Sequence, residues 1–140
     1  MNDSIEVVDR LPTLEEYLEL TSAVGWSSYV TAETAKVALA HSLFAVVAER
    51  DGRAVAMARI VGDGALFFYV QDVAVLPNCQ GTGLGAAVMD RSMAWLDSNA
   101  PDRAFVGLFS AAGKARFYTR YGFTAATADR PGMSRYIRPE

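Results

Sequence analysis

Residues 73–88 read VAVLPNCQGTGLGAAV, an extended apolar run that breaks at Pro77 and restarts at helical spacing after three alternate glycines, Gly81, Gly83 and Gly85. A strand must feed a helix here through a turn that carries almost no side chains. A helix N-terminus presents unpaired N–H groups and about half a positive charge, so an anion docks there when nothing blocks it. Glycine removes the block. The amides from Gly81 to Gly85 are candidates to cradle a pyrophosphate, with Gln80 and Thr82 as candidate hydrogen-bonding side chains beside them.

Pattern places the other elements. Pro12 and Thr13 open a helix over about 13–24, with Leu14, Tyr17 and Leu18 on one face. Thr31 caps a second helix that ends near His41, itself a helix-end cap or surface group. Two β-branched and apolar runs, 43–49 and 53–61, flank the hairpin turn Asp51-Gly52. Gly62-Asp63-Gly64 then turns the chain into a long apolar strand over 65–77, expected at the centre of the sheet. Beyond the glycines, Leu84, Val88, Arg91 and Trp95 recur at helical spacing over 83–99, and Pro101 closes the segment. A strand over 105–109, a helix over 113–121 ended by Gly122, and two antiparallel strands over 123–127 and 134–138 complete the order. The expectation is a single α+β domain over 1–140. Its sheet is mixed, mostly antiparallel and of about six to seven strands, flanked by four helices.

A chain of 140 residues, 51% hydrophobic and 21% charged, can bury a real core. No apolar run approaches the roughly 18 to 20 residues that span a bilayer, and the start MNDSIEVVDR is acidic where a leader would be basic. The single cysteine, Cys79, makes neither an intramolecular disulfide nor a thiolate metal cluster. These features point to a soluble cytoplasmic protein without a metal or a membrane partner. A net charge of −3 gives no field for phosphate backbones, and Lys114, Arg116 and Arg120 form only a local basic stretch, so nucleic acid is not an expected partner.

The glycines taken alone also satisfy the dinucleotide fingerprint GxGxxG/A over 81–86. Context argues against it, because a dinucleotide domain opens on that strand and repeats βαβ units after it, whereas here hairpins precede it. No GxxxxGK[ST] occurs, which removes the P-loop. Tight helix packing alone is the bland alternative.

Two segments are more specific. Gln80, Gly83 and Gly85 fit the pattern [Q/R]-x-x-G-x-[G/A], and Phe117-Tyr118-Thr119-Arg120-Tyr121-Gly122-Phe123 fits FYxxxGF. Together they resemble the acyl-CoA signature and downstream segment of the GNAT N-acetyltransferase superfamily, within it the small aralkylamine (serotonin) N-acetyltransferase-like subgroup. The resemblance implies a sheet with a central splay that receives the pantetheine arm of acetyl-CoA, the pyrophosphate resting on the glycine turn. It names Val73, Ala74, Val75, Gln80, Gly81, Thr82, Gly83, Leu84, Gly85, Lys114, Phe117 and Tyr118 as cofactor-binding candidates. Homodimers are common in the family.

The implied reaction moves acetyl directly to a primary amine, of an arylalkylamine or a polyamine. It needs a neutral amine, a polarised carbonyl and a proton for the thiolate. Tyr118 resembles the family's general acid, with Tyr121 one turn later as the substitute. A backbone amide near Val73 or Val75 would polarise the carbonyl. Related polyamine acetyltransferases carry glutamate where this chain has Gln71. The base is therefore open between Asp72 acting through water and a water ordered by Tyr69, Gln71 or backbone carbonyls. Simple alternation points Asp72 away from Gln71. Arg59 is expected to pair with Asp63 or Asp72, and Cys79 lacks a histidine partner. Trp26, Tyr29, Phe68, Tyr69, Gln71, Met133 and Tyr136 are candidates for the acceptor pocket, or for core. Three other readings stay open: a non-catalytic acyl-CoA-binding regulatory module, motivated by Gln71, a dinucleotide-binding protein, and a protein N-acetyltransferase.

Overall fold

The computed structural model describes residues 4–138, and the chain divides after Leu108 into two compact units. The first carries one five-stranded sheet with neighbours in the order β1 (Ile5–Val8), β2 (Phe44–Arg50), β3 (Arg53–Gly62), β4 (Phe67–Val75) and β5 (Phe105–Gly107). β1 through β4 are antiparallel, and β5 joins β4 in parallel. Helices α1 (Leu14–Ala23), α2 (Ala32–Ala40) and α3 (Leu84–Asn99) belong to the same unit.

Local chemistry explains the turns. Asp51 and Gly52 both take positive φ, 52° and 78°, as the tight hairpin between β2 and β3 requires. At the next corner one oxygen of Asp63 accepts from the amides of Ala65, Leu66 and Phe67 at 2.8, 2.8 and 3.0 Å. Asp63 thus shapes a turn and is not the partner of Arg59. His41 caps α2, with Nδ1 3.0 Å from the Val37 carbonyl.

The pleat of the sheet sorts its side chains into two cores. Val47, Met57 and Ala74 pack with Tyr17, Leu20 and Leu39 of α1 and α2. Val46, Ala48, Ala56 and Ala58 pack with Leu84 and Val88 of α3. On α3 the buried positions are Leu84, Val88, Met89, Ser92 and Leu96. Arg91 lies outside that stripe and is exposed in an ion pair with Asp9.

Two expectations are corrected. β1 was not expected; it is a four-residue edge strand whose partner, β2, lies far along the chain. The strands expected over 123–127 and 134–138 do not form among the described residues, where the chain after Gly122 is irregular and, apart from half-buried Phe123, exposed. A strand exists only through its ladder, and Pro131 and Gly132 between the two runs oppose a tight hairpin. The sheet therefore has five strands, fewer than expected. Among its described residues the second unit contains one short helix, α4 (Ala115–Thr119).

Candidate active site

The glycine turn forms as its composition demands. β4 ends at Val75, a single 3-10 turn occupies Pro77–Cys79, and Gly81 and Gly83 take φ of 78° and 86°. Gly83 is the N-cap of α3 and offers no side-chain cap. A Cβ at either glycine would meet nothing within 4 Å, so the space over the turn is open and only the left-handed backbone demands glycine. Gly85 lies inside the first turn of α3. The Gln80 amide donates to the Val75 carbonyl at 3.1 Å, and the Thr82 hydroxyl donates to the Cys79 carbonyl. Both side chains close the turn on itself, leaving backbone amides as its principal donors to an anion.

β4 is irregular where the chemistry is expected. Met57 pairs with Ala74 and Arg59 with Gln71, so Asp72 and Val73 together face Ala58 alone. This is a β-bulge, and its first residue, Asp72, takes φ of 58°. The bulge reverses the parity of the strand. Before it, Phe68 meets Trp95 of α3 with centroids 6.3 Å apart. After it, Val73 and Val75 pack on the α3 side. Gln71 stands opposite Arg59 in register, and Asp72 bonds the same arginine, so the two share the face covered by α1 and α2. The expectation that Asp72 points away from Gln71 is thereby overturned: one extra residue cancels the alternation.

Asp72 is firmly held. Its Oδ2 accepts from the Tyr17 hydroxyl at 2.8 Å and from Arg59 Nε at 2.9 Å. Arg59 Nη1 continues to the Ala38 carbonyl at 3.2 Å and Ser42 Oγ at 3.0 Å, at the end of α2. The side chains of Arg59 and Asp72 keep only 10% and 16% of their surface exposed. Burial, followed by the Asp72 charge, pushes the Tyr17 hydroxyl up to about 12. Tyr17 was not singled out for the site; its helical spacing marks it as core.

The β4–β5 pairing is brief. Only Phe67–Phe105, Phe68–Val106 and Tyr69–Gly107 face each other, after which β5 stops and β4 runs on to Val75. Within the first unit, the β5-side edge of β4 is therefore unpaired by strand from Val70 onward, across the bulge and up to the glycine turn. Beside it stands a row of aromatic rings: Phe105 lies 6.0 Å from Phe67 and 5.9 Å from Tyr69. Phe67 and Phe105 keep 48% and 43% of their surface exposed. Gly107 leaves room between them, since a Cβ there would come within 2.7 Å of the Phe105 ring and 3.1 Å of Tyr69.

Other candidates fall differently. Trp26 is half-buried against the α1–α2 core, and Phe68 is fully core. Ala74 is buried, while Tyr29 is exposed. Cys79 is buried beside Arg50 at 3.5 Å. In the second unit Lys114 precedes α4, whose rings cluster: Phe117 lies 5.0 Å from Tyr118 and 5.6 Å from Tyr121, and Tyr118 lies 6.3 Å from Phe123. Arg120 covers Phe117 at 5.2 Å. Burial raises the Tyr118 hydroxyl above the usual phenol range. Met133 and Tyr136 are exposed.

β4, expected at the centre of the sheet, thus lies beside the edge strand β5 and combines a short parallel pairing, a bulge and a glycine turn that heads a long helix. The acetyltransferase (GNAT) domain family matches residues 41–125. The chain belongs to the GNAT acetyltransferase family. It is 40% identical over 85 residues to serotonin N-acetyltransferase 2, chloroplastic, of Oryza sativa subsp. japonica, a match spanning 61% of this chain and 42% of the rice protein. It is 34% identical over 122 residues to GCN5-related N-acetyltransferase 1, chloroplastic, of Arabidopsis thaliana, spanning 86% of this chain and 60% of that protein. The chain thus spans about half the length of these curated relatives. Among solved structures, a GNAT family acetyltransferase from Streptococcus pneumoniae superposes with a TM-score of 0.77 at 33% identity, covering 96% of this chain and 99% of that one. A Staphylococcus aureus protein of unknown function, described as "Probable Acetyltransferase", gives a TM-score of 0.88 at 29% identity, covering 96% and 100%.

Proposed function

We propose that this chain is an acetyl-CoA-dependent N-acetyltransferase that moves acetyl directly onto the primary amine of a small arylalkylamine. β4 is the observation that carries this reading: one strand bears the unpaired edge, the bulge and, at its end, the glycine turn. The rings of Phe67, Tyr69 and Phe105 favour an aromatic acceptor over a polyamine. The name of the rice relative is consistent with that choice.

Acetyl-CoA supplies the activated acyl group. The amides of the turn and of the first turn of α3 hold its pyrophosphate, and the unpaired edge of β4 pairs with the amide-bearing pantetheine as with an added strand. Of the two candidate carbonyl-polarising positions the bulge favours Val73, because Val75 sits in regular register opposite Ala56. The neutral amine nitrogen bonds to the carbonyl carbon, the C–S bond breaks, Tyr118 gives its proton to the departing sulfur, and the proton that the acylated nitrogen sheds passes through water to restore the tyrosine. Asp72 is not assigned as base, since Tyr17 and Arg59 already occupy Oδ2. The ammonium loses its proton to water before attack. An amine of pKa about 10.4 is neutral about once in 2,500 molecules at pH 7, so kcat/KM is expected to rise about tenfold per pH unit toward that value.

Thiol release from acetyl-CoA, measured with arylalkylamines, polyamines, amino sugars, amino acids and short peptides against enzyme-free blanks, tests the reading. Turnover is expected to be highest with arylalkylamines. Silence across the panel while acetyl-CoA binds would move the assignment to an acyl-CoA-binding module, and turnover of peptides alone to protein acetylation. Gly83→Ala checks the turn: it forces a Cβ into the left-handed region, and a rise of about tenfold in KM for acetyl-CoA is expected.

A further inference from the structure

Asp72 is one of four described non-glycine residues with positive φ, and the only one of them inside a strand. Left-handed backbone is unfavourable for any residue with a Cβ, although aspartate and asparagine tolerate it best. Such a conformation persists where surrounding contacts over-determine it. One carboxylate oxygen is gripped from two directions, by Tyr17 of α1 and by Arg59 of β3, and Arg59 is itself anchored to the end of α2 through Ala38 and Ser42. The Arg59 guanidinium also lies 5.9 Å over the Tyr17 ring, so the two donors brace each other.

We propose that Tyr17 and Arg59 are positioning residues for acetyl transfer, which hold Asp72 left-handed at the bulge and thereby aim the Val73 N–H at the thioester carbonyl. This rests on the acetyltransferase reading above. Neither residue touches the reacting atoms; both act through the backbone of Asp72. An ordinary buried ion pair that only fastens α1 and α2 to the sheet would stabilise the fold and leave the chemistry alone. A carboxylate acting as base would need its negative charge at the substrate. The three roles separate when residue 72 is varied by backbone preference instead of by charge.

Asp72→Gly, Asp72→Asn and Asp72→Ala are compared with wild type, together with Tyr17→Phe. Because Asp72→Gly leaves Arg59 without its partner, the pair Asp72→Gly and Asp72→Ala is also made on an Arg59→Met background, which removes the orphaned charge. The readouts are kcat, KM for acetyl-CoA, thermal midpoint, and the carbonyl stretch of bound acetyl-CoA carrying carbon-13 in the thioester. The proposal expects kcat for Asp72→Ala to fall about tenfold below that for Asp72→Gly, because alanine pays the left-handed cost and glycine does not. KM should stay within about threefold, since uniform binding is untouched. The low-frequency shift of the bound carbonyl should shrink in Asp72→Ala, survive in Asp72→Gly, and weaken in Tyr17→Phe. Equal loss of kcat in all three Asp72 variants with the carbonyl shift retained would overturn the proposal in favour of a base. Unchanged kcat and shift with only a lower thermal midpoint would overturn it in favour of a fastening pair. If wild type failed to bind acetyl-CoA, the acetyltransferase reading would itself fall, and this proposal with it.

Discussion

Tyr118→Phe is expected to lower kcat about 10²- to 10³-fold, the usual contribution of a positioned general acid, while the Kd for acetyl-CoA changes less than about twofold. The substitution removes one oxygen and keeps the ring, so the packing against Phe117 and Phe123 survives. On the proposed reading the loss belongs to proton delivery to the departing thiolate, a step that binding does not report. The sign of the pH effect follows from burial, which raises the Tyr118 hydroxyl above its ordinary value of 10.0 and keeps it protonated across the neutral range. No alkaline decline of kcat is therefore expected below about pH 10. Steady-state rates from pH 6.5 to about 10, paired with calorimetric titration of acetyl-CoA, check both statements. Should the loss follow Tyr121→Phe instead, the acid is Tyr121. Retention of rate in both variants would mean that solvent protonates the sulfur.

The parts of the molecule that were legible beforehand are those written in contiguous residues. Asp51-Gly52 marks its hairpin because the turn needs two positive φ values, and both residues adopt them. The glycines at 81 and 83 mark their turn for the same reason. Thr31 announced α2, and it forms a capping box with Thr34. The bulge had no such mark. A left-handed position inside a strand usually calls for glycine, and here aspartate occupies it because Tyr17, 55 residues earlier, and Arg59 secure it. Nothing local to VQDVA reveals those partners. Simple alternation therefore misplaced Asp72, and it did so at the point where the strand departs from regularity.

The edges of the fold were equally hard to read. β1 is too short for its own periodicity to stand out, and its identity lies in its pairing with β2. The runs over 123–127 and 134–138 carry strand-like residues without a ladder, the converse case. Aromatic side chains were ambiguous in principle, since the same ring serves a core or a pocket. Trp26 and Phe68 went to the core, while Phe67 and Phe105, with large exposed faces, were not proposed at all. The signal for them was available in the β-strand period, since Phe67, Tyr69 and Gln71 share one face of β4 ahead of the bulge.

The second large effect concerns stability. Glu16 keeps only 4% of its surface exposed, yet it is ionised, because every direction around its carboxylate supplies a donor. Arg10 binds both oxygens at 2.9 and 3.1 Å, Thr13 N–H donates at 2.9 Å to close a capping box on α1, and Ala54 N–H of β3 donates at 2.8 Å. Arg10 in turn reaches Glu49 of β2 at 2.8 Å. One carboxylate thus joins the start of α1, the segment after β1 and the hairpin of β2 and β3. Glu16→Ala removes the acceptor and leaves the buried Ala54 amide, the Thr13 amide at the helix cap and a partly buried guanidinium without it. Breaking a buried pair from one side costs about 3 kcal/mol or more, which for a domain of this size lowers the thermal midpoint by about 10 °C. The Arg10 hydrogen bond is the largest cause that holds Glu16 down at about 2, against the burial that opposes it. A carboxyl depressed in the folded state stabilises above its unfolded pKa and loses that contribution as pH falls through the folded value. The wild-type denaturation midpoint should therefore decline between about pH 4.5 and pH 2, and the decline should be shallower in Glu16→Ala. Parallel urea titrations of the two proteins across that window measure the difference, and equal slopes would remove Glu16 as the group responsible.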